Sequence, residues 1–137
     1  MERKNTVLII DDDKEFASAV KTAFEAKGWE TATAPTCEEG LQRLATFSPA
    51  LIILDMMFGN KAEGILAARR LKGSKKFAAY SKIPLLMLSD LRTQADVAFP
   101  NPSKNAYFLP VDEFLHKPVK PDALLAKAEE IINAASK

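Results

Sequence analysis

Short apolar runs alternate along the chain with longer segments in which apolar residues recur every three or four positions. The runs favour buried strands and the longer segments favour helices that cover them, so the order predicts strands joined through helices in a parallel sheet. Five strands are predicted, at residues 7–10, 29–34, 51–54, 85–88 and 113–116. The first and third are wholly apolar, as expected of strands covered on both faces.

Three helices are predicted between strands, at residues 14–27, 37–47 and 64–72, and a fourth follows the last strand at residues 121–135. Gly28 suits the end of the first helix, and Pro121 suits the first turn of the last. Thr36 and Glu39 match a capping box, in which a hydroxyl and a carboxylate each satisfy a backbone donor. Residues 90–111 have the weakest pattern, because three prolines interrupt them, and only a short helix at residues 94–99 is predicted there.

Length and charge narrow the class of protein. The 137 residues suit one domain with a full core, so a single domain is predicted over residues 1–137. Nineteen basic and eighteen acidic residues create no overall field, so neither direct nucleic-acid binding nor membrane binding is expected. One cysteine excludes an intrachain disulfide and the charged start is unlike a secretory segment, which indicates the reducing cytoplasm. No apolar run approaches the roughly 20 residues that span a bilayer.

Chemically active side chains follow four of the predicted strands. Asp11, Asp12 and Asp13 follow the first, Asp55 the third, Ser89 the fourth and Lys117 the fifth. Ligands of open parallel sheets bind outside the carboxyl ends of the strands, so these residues should converge. Two carboxylates about 4 Å apart repel by roughly 4 kcal/mol at an effective dielectric near 20, so the cluster needs raised pKa values or cations.

An oxygen-rich cluster suits Mg²⁺, which binds one or two carboxylates together with waters and phosphate oxygens. A phosphorylated donor held there could be attacked by a carboxylate. Lys117 would offset the charge on the transferring group, and Ser89 could hydrogen-bond one of its oxygens. Such a bond would differ between two states of the protein and could act as a switch.

Four segments, taken in order, resemble the receiver domain of two-component response regulators. They are Val7-Leu8-Ile9-Ile10-Asp11-Asp12, Leu51-Ile52-Ile53-Leu54-Asp55, Leu86-Met87-Leu88-Ser89 and Phe114-Leu115-His116-Lys117-Pro118. The resemblance implies a flavodoxin-like, doubly wound α/β fold with five parallel strands and helices on both faces. Its strand order 2-1-3-4-5 is taken from the resemblance, since receiver domains are standard examples of that order.

The resemblance also implies roles for individual residues. Asp55 would be phosphorylated by a sensor histidine kinase or a phosphotransfer protein, and a downstream protein would read the change. Asp12, Asp55 and the backbone carbonyl of Met57 would bind Mg²⁺, with Asp11 helping through water. Phe114 would repack when Ser89 moves, and the Lys117–Pro118 bond would be cis. Such a domain hydrolyses its own aspartyl phosphate but is not a conventional enzyme.

Several positions depart from the family pattern. Phe58-Gly59 stands where a Met-Pro pair is usual, and Gly64 lies one residue later than expected, so the loop beside the site could be reshaped. Asp90 adds a negative charge after Ser89. Met57 and Leu91 are apolar and poorly suited to orient a hydrolytic water, which predicts slow self-dephosphorylation.

Two other functions stay open on the sequence. The chain could be a receiver-like docking module that is never phosphorylated, or a phosphatase of the haloacid dehalogenase type with Asp11 as nucleophile. The latter leaves Asp55 without a role. Simpler interpretations also apply to single residues: Asp13 as a helix cap, His116 as a structural residue, and the lysines at 72, 75, 76 and 82 as a solvated face.

Overall fold

The computed structural model describes residues 5–58, 61–90 and 111–135, without the side chains of Asp90 and Ala135. Its strands form one all-parallel sheet in the order β2-β1-β3-β4-β5, which confirms the predicted flavodoxin-like topology. The strands are β1 (Thr6–Ile10), β2 (Glu30–Ala34), β3 (Leu51–Asp55), β4 (Leu85–Asp90) and β5 (Glu113–Lys117). Each lies within two residues of the predicted position. The helix predicted at residues 94–99 lies outside the described residues.

The helices cover both faces of the sheet, as predicted. They are α1 (Lys14–Glu25), α2 (Cys37–Arg43), α3 (Glu63–Gly73) and α4 (Pro121–Ala135), with a 3₁₀ helix at Lys75–Tyr80. One face of the sheet contacts α1 and α4 through Val20, Phe24 and Leu124. The other face contacts α2, α3 and the 3₁₀ helix through Leu41, Leu71 and Phe77. Among the described helices, none is both long and apolar enough to cross a membrane.

Two local features differ from the prediction. The helix α2 ends at Arg43, four residues before the predicted end, because the backbone tightens: the N–H of Leu44 donates to Leu41 at 3.3 Å. Bonds to the carbonyl three residues back are those of a 3₁₀ turn. The 3₁₀ helix after α3 was not predicted, since Phe77 is its only buried residue.

The predicted helix caps are present. The Asp13 carboxylate accepts a hydrogen bond from the N–H of Phe16 at 3.1 Å, which confirms Asp13 as the N-cap of α1. The Thr36 hydroxyl accepts from the N–H of Glu39 at 3.1 Å and caps α2. Both caps satisfy backbone donors that the first helical turn leaves unpaired. The Asp13 cap also sets where the chain turns after β1, beside the carboxylates of the candidate site.

The interpretation of Lys72 as part of a solvated face was wrong. Its side chain is only 17% exposed, and its Nζ donates to the backbone oxygens of Ser81 at 2.8 Å and Ile83 at 2.7 Å. Asp112 lies 3.5 Å from the same Nζ and accepts the N–H of Leu85 at 2.7 Å. Lys72 therefore joins the end of α3 to the entry of β4, where it satisfies carbonyls that belong to no strand or helix.

Candidate metal and phosphoryl site

Three carboxylates meet at the carboxyl edge of the sheet. Asp11 and Asp12 follow β1, and Asp55 ends β3, the strand paired with β1. Asp11, Asp12 and Asp55 each offer an oxygen, and these oxygens all lie within 4.8 Å of one another. Asp11 and Asp55 are buried, whereas Asp12 is exposed. The structure thus brings together the acidic residues that the sequence places at two separate strand ends.

Lys117 reaches the same cluster from the end of β5. Its Nζ lies 2.9 Å from Asp11 Oδ2 and 3.6 Å from Asp55 Oδ2. The ring of Phe16 in α1 lies under the ammonium, with 4.6 Å between Nζ and the ring centroid. The strand β4 separates β5 from β3, so only a long side chain can span the distance. An ammonium that is 17% exposed between two carboxylates and an aromatic face is a fixed cation.

The burial of these charges shifts their pKa values. The pKa of Asp55 is raised from 3.8 to about 7, first because of burial and second because of the negative charge of Asp11. The Lys117 ammonium and a hydrogen bond from the N–H of Met57 oppose that rise. Burial disfavours the Lys117 ammonium, but the hydrogen bond to Asp11 and the nearby carboxylates outweigh it and raise the pKa of Lys117. The negative charge of Asp55 is therefore poorly stabilised in the folded protein.

Gly64 supports the end of β3 from the first turn of α3. Its N–H donates to the backbone oxygen of Met56 at 2.9 Å. A Cβ atom at Gly64 would overlap the backbone oxygen of Asp55 and lie 2.7 Å from the Cα of Met56. Gly64 thus gives a close approach of two backbones that only glycine permits.

Phe58 lies in the loop that leaves the site, and its side chain is buried. Phe58 is 8% exposed and its ring joins the core between the sheet and α3. Its backbone exchanges hydrogen bonds with Lys61, at 2.9 and 3.1 Å. These bonds close the loop that leaves the site. Gly59 lies outside the described residues.

Ser89 and Phe114, the residues expected to act as a switch, lie on the neighbouring strands β4 and β5. Ser89 is fully buried near the end of β4, one residue beyond the partner of Asp55 in the strand register. Its Oγ lies 2.9 Å from His116 Nδ1, a contact that the sequence did not reveal. The strand register could have revealed this contact, because Ser89 and His116 are direct partners across β4 and β5.

The cis Lys117–Pro118 bond implied by the resemblance is confirmed.

A parallel sheet in the order 2-1-3-4-5, with carboxylates gathered at its carboxyl edge, defines the class of CheY-like flavodoxin folds. Residues 7–129 match the family model of the response regulator receiver domain, which is most of the chain. The protein therefore belongs to the receiver domain family of two-component response regulators. As a receiver domain it is a signalling module and not a conventional enzyme.

Solved structures show the same fold. The CheY-like receiver domain protein of Methanospirillum hungatei JF-1 superposes with a TM-score of 0.77 at 22% identity, over 98% of both chains. The chemotaxis response regulator CheY4 of Vibrio cholerae gives a TM-score of 0.73 at 21% identity, over 94% of this chain and 99% of that one.

Curated relatives are longer than this chain. The alkaline phosphatase synthesis transcriptional regulatory protein PhoP of Bacillus subtilis (strain 168) is 27% identical over 126 residues, which are 92% of this chain and 48% of that protein. The DNA-binding response regulator MtrA of Mycobacterium leprae (strain TN) is 27% identical over 124 residues, 90% of this chain and 49% of that protein. The chain spans about half the length of the curated relatives it matches.

These relatives correct the expected partners. The balanced charge of the chain led to the expectation of no direct nucleic-acid binding, and these relatives contradict it, since their names describe transcriptional and DNA-binding regulators. Because this chain covers only about half of each of them, its charge balance alone could not exclude nucleic-acid binding.

Proposed function

We propose that Asp55 accepts a phosphoryl group and that the protein thereby switches a surface that a partner recognises. The observation that carries the proposal is the setting of Asp55: a buried carboxylate within 4.8 Å of two others, with the Lys117 ammonium 3.6 Å away. A histidine kinase or a phosphotransfer protein is the proposed donor. Two expectations stay predictions. One is that residues 1–137 form a single domain, and the other is that the protein resides in the cytoplasm.

The donor set at the cluster fits Mg²⁺. Asp11, Asp12 and Asp55 supply only carboxylate oxygens, the hard ligands that this ion binds with near-octahedral geometry and several waters. We assign Asp12, Asp55 and the backbone carbonyl of Met57 as direct ligands and Asp11 as a ligand through water. When bound, the ion offsets the charge of the carboxylates and of the phosphoryl oxygens.

The side chains then divide the work of transfer. An oxygen of Asp55 forms a bond to phosphorus while the bond from phosphorus to the donor breaks, and the donor leaves with that electron pair. Lys117 donates to the phosphoryl oxygens and shields Asp55 from Asp11. Ser89 donates a hydrogen bond to another phosphoryl oxygen. Phe114, on the same sheet face, repacks as Ser89 moves.

The geometry favours Asp55 over Asp11 as nucleophile. Asp11 Oδ2 accepts a hydrogen bond from Lys117 at 2.9 Å, and Asp11 Oδ1 accepts one from the N–H of Asp13 at 2.9 Å. Because both oxygens of Asp11 are held by donors, they are weak nucleophiles and suit a supporting role. This arrangement counts against a phosphatase of the haloacid dehalogenase type.

Acetyl phosphate with Mg²⁺ tests the proposal without any partner protein. We expect the intact mass of the wild-type protein to rise by one phosphoryl group, and the adduct to be lost completely in Asp55→Asn. Asp11→Asn is the matched control, because it removes one charge from the same cluster and should still form the adduct.

Each rival predicts a different pattern of adducts. A phosphatase that uses Asp11 would lose the adduct in Asp11→Asn and keep it in Asp55→Asn. A docking module would form no adduct in any of the three proteins, with or without Mg²⁺.

Slow loss of the phosphoryl group is a further expectation. Met57, two residues beyond Asp55, has no polar group with which to orient an attacking water. Leu91, the other position invoked for this purpose, lies outside the described residues. After removal of acetyl phosphate, the adduct should persist well beyond seconds when its decay is followed by mass, and decay within seconds would contradict this account.

A further inference from the structure

His116 contacts both residues assigned to the switch. Its Nδ1 lies 2.9 Å from Ser89 Oγ, and its ring meets the ring of Phe114 edge-on, with centroids 5.3 Å apart and an interplanar angle of 65°. Phe114 and His116 are two residues apart on β5, so they face the same side of the sheet. Ser89 is fully buried and His116 is exposed. A surface side chain is thereby joined to the buried hydroxyl.

The hydroxyl of Ser89 has one hydrogen to donate. A neutral imidazole with its hydrogen on Nε2 accepts that hydrogen at Nδ1. A phosphoryl oxygen on Asp55 needs the same hydrogen, because phosphoryl oxygens only accept. The two hydrogen bonds therefore exclude each other, and each belongs to a different state of the protein.

We infer that His116 is a positioning residue that stabilises the unphosphorylated state by accepting the hydrogen bond of Ser89. The inference rests on the proposed function of Asp55 and adds a regulator to it. Phosphorylation exchanges one bond of Ser89 for another and releases His116. Since the His116 ring also contacts Phe114, that release ties the movement of the serine to the repacking of the aromatic ring.

Replacing His116 should favour phosphorylation. His116→Val keeps a residue suited to a strand but leaves the buried hydroxyl unpaired in the unphosphorylated state, which a phosphoryl oxygen relieves. At a fixed, limiting concentration of acetyl phosphate with Mg²⁺, the ratio of phosphorylated to unphosphorylated protein should rise roughly 2- to 10-fold, the range expected for one net hydrogen bond. The ratio is measured by intact mass.

Two matched variants separate this role from a merely structural one. His116→Asn keeps a polar atom close to the place of Nδ1 and should return the ratio towards that of the wild type. In a Ser89→Ala background, His116→Val should leave the ratio unchanged, because the bond that it removes is already absent. Thermal melting of each variant checks that it is folded.

The imidazole can also be observed directly. The chain has one histidine, so its ring nitrogens give a single pair of ¹⁵N signals. At pH 8 and without a phosphoryl donor, we expect Nδ1 to carry no hydrogen. We expect the Nδ1 signal to move on phosphorylation of the wild type. An Nδ1 that carries the hydrogen would overturn the inference.

The mass experiment distinguishes failure of this inference from failure of the proposed function. A wild type that gains the adduct, with a His116→Val ratio equal to or below its own, overturns the role of His116 alone. The same holds if His116→Val acts equally in the Ser89→Ala background. A wild type that gains no adduct overturns both.

Discussion

Asp55→Asn should be more stable than the wild type at neutral pH when divalent cations are removed with a chelator. In the unfolded chain the pKa of Asp55 is near 3.8. In the folded protein, burial and the negative charge of Asp11 raise that pKa to about 7. Below pH 4 both states are protonated and the shift has no effect. Between pH 4 and 7 the wild type loses stability, and above pH 7 the loss is complete, at most about 4 kcal/mol at 1.36 kcal/mol per pKa unit.

Denaturant unfolding at pH 4 and pH 8 measures this effect. The advantage of Asp55→Asn should be present at pH 8 and absent at pH 4. Glu129→Gln is the control, because it removes a carboxylate from the exposed side of α4 and should change stability by less than about 0.5 kcal/mol. Equal stability of Asp55→Asn and wild type at pH 8 would contradict the destabilising burial of the Asp55 charge.

Gly64→Ala should destabilise the protein by about 3 kcal/mol. A Cβ atom there overlaps the backbone oxygen of Asp55, and backbone cannot move aside as a flexible side chain can. The higher helix propensity of alanine offsets at most about 1 kcal/mol of this destabilisation. Because the clash lies on Asp55 itself, the variant should also form the phosphoryl adduct more slowly.

Gly73→Ala is the matched control for Gly64→Ala. Gly73 ends the same helix, and a Cβ atom there would meet nothing within 4 Å among the described residues. Its expected effect lies between zero and a gain of about 1 kcal/mol. If both alanine variants unfolded at the same denaturant concentration, the close approach at Gly64 would have no energetic meaning.

The fold and the charged cluster could be predicted because their signals are local. The apolar runs that end at Asp11 and Asp55 mark two strands and the edge at which both carboxylates lie. Lys117 follows from the same rule for β5. The strand order did not follow from the pattern and needed the resemblance to a known family.

What the sequence did not predict depends on contacts between distant segments. Lysine is usually a surface residue, so the sequence alone favoured an exposed Lys72. Only the fold brings the carbonyls of Ser81 and Ile83 to its ammonium. The contact between Ser89 and His116 depends on the register of two strands, which a shift of one residue would remove. The early end of α2 reflects a tight last turn that propensity does not specify.

The most direct test of the central claim is to locate the phosphoryl group. After treatment with acetyl phosphate and Mg²⁺, borohydride reduces an acyl phosphate to the alcohol, so the modified aspartate becomes homoserine and can be identified by peptide mass spectrometry. We predict homoserine at position 55 alone. Homoserine at Asp11 or Asp12, with Asp55 unchanged, would contradict the assignment of Asp55 as phosphoryl acceptor.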